Sequence, residues 1–242
     1  MAEVLISERL RALCNMVTPG KAVVDVGCDH GFVSIYLVQK GISPKVLAMD
    51  VRQGPLSRAR EHIALYGLEE YIDTRLSDGL FAYREGEARS LVCAGMGGRL
   101  MMKILSDSRS KANALEELIL QPQSELPVFR RFLREEGYGL LDEKILCEEG
   151  KYYFLMKVCY VGKENLERGN QEHVMEQELS DRFGELLLER RDPVLKQYLE
   201  YSLDNLRKIS ETLAHNEKER ARERFEELRL EMAAVEKALS LF

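Results

Sequence analysis

The sequence predicts an α/β protein: a mostly parallel sheet with helices on both faces, followed by an α-helical hairpin. Three observations lead there. From Ala22 to about Tyr160 short β-branched runs alternate with amphipathic stretches. The alternation closes on two long strand-like runs around a turn, and beyond Gly162 the β-branched runs give way to apolar residues spaced by threes and fours.

Taken in order, Ser7 is placed to cap a first helix through Leu10, Leu13 and Val17, which Pro19-Gly20 would stop. Strands are expected at Ala22–Val26, Lys45–Met49, Tyr71–Leu76, Ser90–Cys93 and Leu118–Leu120, with helices between them. Leu140–Cys147 and Tyr152–Tyr160 flank Glu148-Glu149-Gly150-Lys151, so they read as an antiparallel hairpin that brings the sheet to seven strands. The later stripes are Leu195, Leu199, Ser202, Leu206, Ile209, Leu213 and Phe225, Leu228, Met232, Val235, Leu239, Phe242, with Asn216 and Glu219 as an N-cap pair between them. A short connection favours pairing within the chain, so a coiled-coil hairpin in a monomer is expected. The domain boundary falls at Gly162: residues 1–162 form the α/β domain and 163–242 the helical one.

At 242 residues, 45% hydrophobic and 31% charged, the chain has the composition of an ordinary globular protein. No apolar run approaches the roughly 20 residues of a membrane span. The start, Met1-Ala2-Glu3-Val4, is acidic where a secretory leader is basic, which points to the cytoplasm. Cys14, Cys28, Cys93, Cys147 and Cys159 form no C-x-x-C pair and read as buried reduced thiols rather than a zinc site. The net charge of −6 lies mainly in the C-terminal third, leaving the first domain nearly neutral and able to carry a basic face.

The residues with chemical meaning cluster at strand ends. Asp25-Val26-Gly27-Cys28-Asp29-His30-Gly31 runs from a strand through a tight turn into a helix, where small residues admit a ligand to the backbone and the helix start offers free N–H groups. Its spacing is acid-x-Gly-x-Gly-x-Gly with Asp29 at the middle glycine, not the dinucleotide pattern. Asp50 ends the second strand, followed by Val51, and an acid there can accept both hydroxyls of a ribose. Ser77-Asp78-Gly79 follows the third strand. Ala94-Gly95-Met96-Gly97-Gly98 follows the fourth, and suggests a backbone wall that admits a planar base. Gln121-Pro122-Gln123 follows the fifth, with amides able to pair with adenine N6 and N7 and leave N1 free.

Together with Ser7-x-Arg9-Leu10, Leu118-Ile119-Leu120-Gln121-Pro122, Glu149-Gly150-Lys151 and Asp192-Pro193, these motifs resemble the bacterial tRNA (adenine(22)-N(1))-methyltransferase family over essentially the whole chain. The Asp-His step and the Gly-Met-Gly-Gly run carry most of that likeness. Two departures are Gln123, where the family pattern has Asn, and Cys28, where it has Ser. The resemblance implies a Rossmann-like class I methyltransferase that uses S-adenosylmethionine and tRNA. On it, Asp25, Gly27, Cys28, Asp29, His30, Gly31, Asp50, Val51, Asp78, Gly79, Ala94 and Gly95 are expected to bind the cofactor, with Asp78 against the adenine amine. Met96, Gly97, Gly98, Gln121 and Pro122 are expected to bind substrate.

Methyl transfer to adenine N1 needs no metal and no base, since N1 already holds a lone pair, but the ring gains positive charge. Asp29 is therefore the catalytic candidate; binding the cofactor ammonium, or shaping the turn, are its other roles left open. Arg99, Lys103, Arg109, Lys111, Arg130, Arg131 and Arg134, with Lys218, Arg220, Arg222 and Arg224 near the helical tip, are candidate phosphate contacts. A methyltransferase for another RNA or a small heterocycle, or a non-catalytic nucleotide-binding scaffold, are the competing readings.

Overall fold

The computed structural model describes residues 3–167, 174–214 and 219–242. The chain divides into two compact units, Met1–Gln171 and Glu172–Phe242.

The first unit begins with α1 (Glu8–Cys14), whose Ser7 hydroxyl accepts the Leu10 N–H at 3.3 Å as an N-cap does. The helix ends at Cys14 rather than Val17, because the N–H groups of Met16 and Val17 bond back only three residues, to Leu13 and Cys14 (3.1 Å each), and tighten the last turn out of the α pattern. There follow β1 (Val23–Val26), α2 (Phe32–Gln39), β2 (Val46–Asp50), α3 (Gln53–Leu65), β3 (Ile72–Leu76), β4 (Ser90–Met96), α4 (Gly98–Asp107), α5 (Arg109–Asn113), β5 (Glu117–Pro122), α6 (Leu126–Glu135), β6 (Tyr138–Glu148), β7 (Lys151–Tyr160) and α7 (Lys163–Glu167). The sheet order is β3-β2-β1-β4-β5-β7-β6. The pairs β3–β2, β2–β1, β1–β4 and β4–β5 are parallel, and β7 runs antiparallel to both β5 and β6. This is the mostly parallel, Rossmann-like seven-stranded sheet expected for the first domain. The order reverses at β1, which makes the carboxyl ends of β1 and β4 the switch point where α/β folds bind ligands.

Strand β4 continues through Ala94-Gly95-Met96, residues expected to lie in a loop. Gly95 is a bulge: Ala94 pairs with Gln121 and Met96 with Pro122, so Gly95 has no partner and takes φ +76°. The opposite end of the sheet is locked by Glu117. Its carboxylate accepts from the Thr18 N–H (2.8 Å) and hydroxyl (2.5 Å), from Ser90 (2.8 Å), and from Lys21 and Lys157 (3.0 Å each). Burial alone would raise its pKa, but these bonds outweigh it and hold the group at about 2. Cys14, Cys28 and Cys93 are buried free thiols; Cys147 is exposed, because it lies near the hairpin turn, and so departs from the expected burial.

The second unit contains α8 (Val174–Phe183), α9 (Glu185–Glu189), α10 (Pro193–Ala214) and α11 (Glu219–Leu239). Asp192 starts α10: its Oδ1 accepts the N–H groups of Val194 (2.8 Å) and Leu195 (3.2 Å) ahead of Pro193 at the first helical position. Helices α10 and α11 pack as a hairpin, with Leu195, Leu199, Leu228 and Val235 of the expected stripes buried and Arg207 bonded to Glu236. Leu203 is buried while Ile209 is half exposed, so the contact line passes one residue to the side of the one expected. Asn216, and with it the expected N-cap, lies outside the described residues. No helix among the described residues is long and apolar enough to cross a membrane.

Candidate active site

A cavity of about 590 Å³ opens at the carboxyl ends of β1 to β4. Its wall is formed by Asp25 to His30, Asp50 to Arg52, Ser77 to Gly79 and Ala94 to Met96, with Arg9 and Leu10 of α1, Phe32 and Val33 of α2, Leu100 and Ile104 of α4, and Gln123. The volume lies in the range of sites for nucleotide-sized ligands.

The turn after β1 is shaped by residues that accept left-handed backbone. Gly27 has φ +78°, and a Cβ there would run into the Met96 methyl group. Asp29 has φ +46°, which Asp tolerates better than most side chains. The N–H groups of Gly27 and Cys28 both donate to the Met49 carbonyl, at 2.8 and 2.9 Å, and tie the turn to β2. Gly31, φ +76°, caps α2 and lies beside Ala59 of α3, so it supports the turn without lining the cavity. His30 is clustered with Phe32 and His62, and its carbonyl accepts the His62 Nδ1–H at 2.9 Å.

Three acids descend along the crevice. Asp50 is buried, its Oδ1 accepting the Arg52 N–H at 2.8 Å and its Oδ2 facing the Asp29 N–H at 3.4 Å. Asp78 is exposed beyond β3, and the neighbouring Ser77 hydroxyl donates to the Gly79 carbonyl at 2.8 Å to hold that turn. Asp25 is almost wholly buried, and its Oδ2 accepts the Ser34 hydroxyl at 2.6 Å. Burial pushes its pKa up to about 6, with Ser34 pulling down and the Asp50 charge adding to the rise. Burial likewise raises the Cys28 thiol, leaving it an un-ionised wall group.

Not every expected residue reaches the cavity. Gln121 is fully buried in β5, and its amide is committed: Oε1 accepts from Arg9 Nη1 (2.6 Å) and from the Gly95 N–H (3.2 Å), while Nε2 donates to the Pro122 carbonyl (3.2 Å). It therefore offers no free edge to a base, and Pro122 is buried beside it. Gln123, just past the strand, lines the cavity instead. Gly97 and Gly98 also stay out of the wall. They start α4 against the β5–α6 loop, where a Cβ on Gly98 would strike the Ser124 carbonyl at 2.6 Å and the Gly98 N–H bonds Ser124 Oγ at 3.3 Å. Arg130 is not available to phosphate, since it is buried in an ion pair with Glu143 (2.8 Å) over the Phe154 ring. Arg9 was visible only as part of a motif, and nothing local assigned it to this wall.

A methyltransferase-domain family model matches residues 6–156. The tRNA methyltransferase TrmK of Bacillus subtilis has a crystal structure that overlays with a TM-score of 0.83 at 26% identity, covering 98% of this chain and 100% of that one. A Streptococcus pneumoniae candidate tRNA methyltransferase, crystallised with S-adenosyl-L-methionine, is 30% identical with a TM-score of 0.80, over 97% of this chain and 100% of its own. The chain belongs to the tRNA adenine-22 N1-methyltransferase family. In sequence, the Bacillus subtilis tRNA (adenine(22)-N(1))-methyltransferase is 35% identical over 153 residues, which span 63% of this chain and 64% of that enzyme.

For a family that uses S-adenosylmethionine, the residues present fit the cofactor. An ionised carboxylate offers about four acceptor positions; Asp50 spends two on backbone N–H groups, leaving two for a diol. The acids match a ligand that carries positive charge, and Gly27, at φ +78° with the Met96 methyl packed where a Cβ would stand, presents bare backbone to the cavity.

Proposed function

We propose that this chain transfers a methyl group from S-adenosylmethionine to N1 of adenine 22 in tRNA. The observation that carries the reading is the set of acids at the ends of three successive strands, Asp25, Asp50 and Asp78, gathered on one cavity at the switch point. The whole-length likeness to TrmK supports the choice of substrate. When bound, the cofactor supplies an electrophilic methyl group on a sulfonium.

The protein's work is positioning and charge balance. Asp50 takes the ribose hydroxyls and Asp78 the adenine amine, while Gly27 and Ala94-Gly95 let the ligand lie against backbone. Met96 packs over the turn, and Gln123 replaces Gln121 as the amide available to a base edge. Asp29, 63% exposed in its side chain and 3.7 Å from His30 Nε2, is the acid that answers the charge developing on the substrate ring. Exposed Arg99, Lys103 and Arg109 supply phosphate contacts, and the helical unit, residues 163–242 in the reading of two domains, grips the tRNA body with Arg224 near its tip. Lys218, Arg220 and Arg222, assigned the same task, lie outside the residues whose side chains are described. The enzyme is read as a cytoplasmic monomer.

The test is incubation of the full chain with methyl-labelled cofactor and an unmodified tRNA transcript, followed by nucleoside analysis. 1-Methyladenosine should form, and a transcript with guanine at position 22 should stay unlabelled. Label at another nucleoside, or equal label in both transcripts, overturns the assignment.

A further inference from the structure

Arg9 belongs to a motif that the reaction as described does not use. It sits in the first turn of α1, which is pinned across the sheet where the Arg9 backbone N–H donates to Glu148 Oε1 at 3.1 Å. Arg9 lines the cavity, and its guanidinium is placed by Nη1 donating to Gln121 Oε1 at 2.6 Å and by Cζ lying 5.2 Å from the centroid of the Tyr153 ring. Gln121 is itself held in one orientation by Gly95 and Pro122, so the cation is fixed in place by a neutral amide and a ring face.

What it lacks is a counter-ion. A guanidinium has five N–H donors in a rigid fork suited to a carboxylate or phosphate. No carboxylate lies within ion-pair distance of Arg9 among the described residues, although the same cavity holds Asp25, Asp29, Asp50 and Asp78. The other arginine on the wall, Arg52, is 74% exposed and stands 4.0 Å from Asp50. Arg9 is thus a pre-positioned cation facing a ligand space otherwise furnished with acids.

From this we infer that Arg9 binds the carboxylate of the cofactor's amino-acid tail. The inference rests on the cofactor reading above. The sheet order carries it: Asp78 follows β3 and Asp50 ends β2, so a ligand with its nucleoside there extends over β1 toward β4. At about 4.8 Å per strand, three strand steps make about 14 Å, the reach of an extended nucleoside–amino-acid conjugate. Arg9 is joined through Gln121 to Gly95 at that far end. The acids answer the positive groups of the tail, and Arg9 answers its one negative group.

The experiment is calorimetry with S-adenosylhomocysteine and with its decarboxylated counterpart, the thiopropylamine, on the full wild-type chain, Arg9→Met and Arg9→Lys. Wild type should prefer the carboxylate-bearing ligand by about 10- to 100-fold, the range of a charge-assisted bond. Arg9→Met should lose that factor for S-adenosylhomocysteine while binding the decarboxylated ligand within about twofold of wild type; Arg9→Lys should retain part of the preference. If Arg9→Met does not fold, a preference undiminished in Arg9→Lys overturns the assignment by itself. Equal loss for both ligands makes Arg9 a structural residue and overturns it. So does unchanged affinity for both ligands with weaker tRNA binding, which marks a phosphate contact. A wild-type chain that binds neither ligand refutes the cofactor reading, and is distinguishable from failure at Arg9 alone.

Discussion

Replacing Asp25 by Asn removes a carboxyl group that burial raises from its ordinary 3.8 to about 6, with Ser34 opposing the shift and Asp50 reinforcing it. An acid whose folded pKa lies above its unfolded value favours the folded state when protonated. That contribution is complete below pH 3.8 and is lost as pH rises through 6. At 1.36 kcal/mol per pKa unit the ionised group costs about 3 kcal/mol at pH 8. Asn keeps the shape and can accept the Ser34 hydroxyl, but its new amide N–H groups cost about 1 kcal/mol or more if they find no acceptor. Without cofactor, Asp25→Asn should therefore be about 1–2 kcal/mol more stable than wild type at pH 8 and slightly less stable at pH 4. Urea denaturation followed by circular dichroism at both pH values measures the difference. Groups held at low pKa, Glu117 and Glu87 foremost and Glu116 beside Arg89 with them, lose their stabilisation as pH falls in both proteins and cancel. A difference between variant and wild type that does not change with pH would refute the argument, because it would mean that Asp25 does not titrate in this window.

Asp50→Ala and Asp78→Ala should each weaken cofactor binding by about 1–3 kcal/mol in calorimetry, more for the buried Asp50 than for exposed Asp78; unchanged affinity in both variants would move the cofactor out of this cavity. Asp29→Asn keeps a side chain that tolerates φ +46°, so cofactor affinity should hold while the single-turnover methylation rate falls about tenfold or more; a wild-type rate at saturating cofactor removes Asp29 from catalysis. A chain ending at residue 171 should fold and bind cofactor with near-native affinity, because the sheet has its own core, yet methylate tRNA poorly; full activity would show that the helical unit does not serve RNA binding.

Much of this protein was legible in its sequence because the determining forces are local. Strand and helix periods, the Ser7 cap, the turn glycines and the Glu149-Gly150 turn act within a few residues, and the acids Asp25, Asp50 and Asp78 could be placed at strand ends by the same pattern. Only the tertiary structure decided how distant side chains spend their hydrogen bonds. Gln121 and Gln123 have similar chemistry in sequence, but β5 ends between them and the bulge at Gly95 turns an N–H onto Gln121, so one amide is consumed in the interior and the other reaches the cavity. Gly97 and Gly98 look like a wall for a base and instead make room for Ser124. Arg130 reads as a surface cation until Glu143 of the next strand neutralises it. Arg9 meets Gln121 and Tyr153 because α1 lies across the carboxyl end of a sheet whose later strands come more than a hundred residues downstream. Sequence patterns report what each residue prefers within its own element, whereas a buried polar group must be matched by whatever partner the packing of other elements delivers, and that is settled by strand register and close packing rather than by local preference.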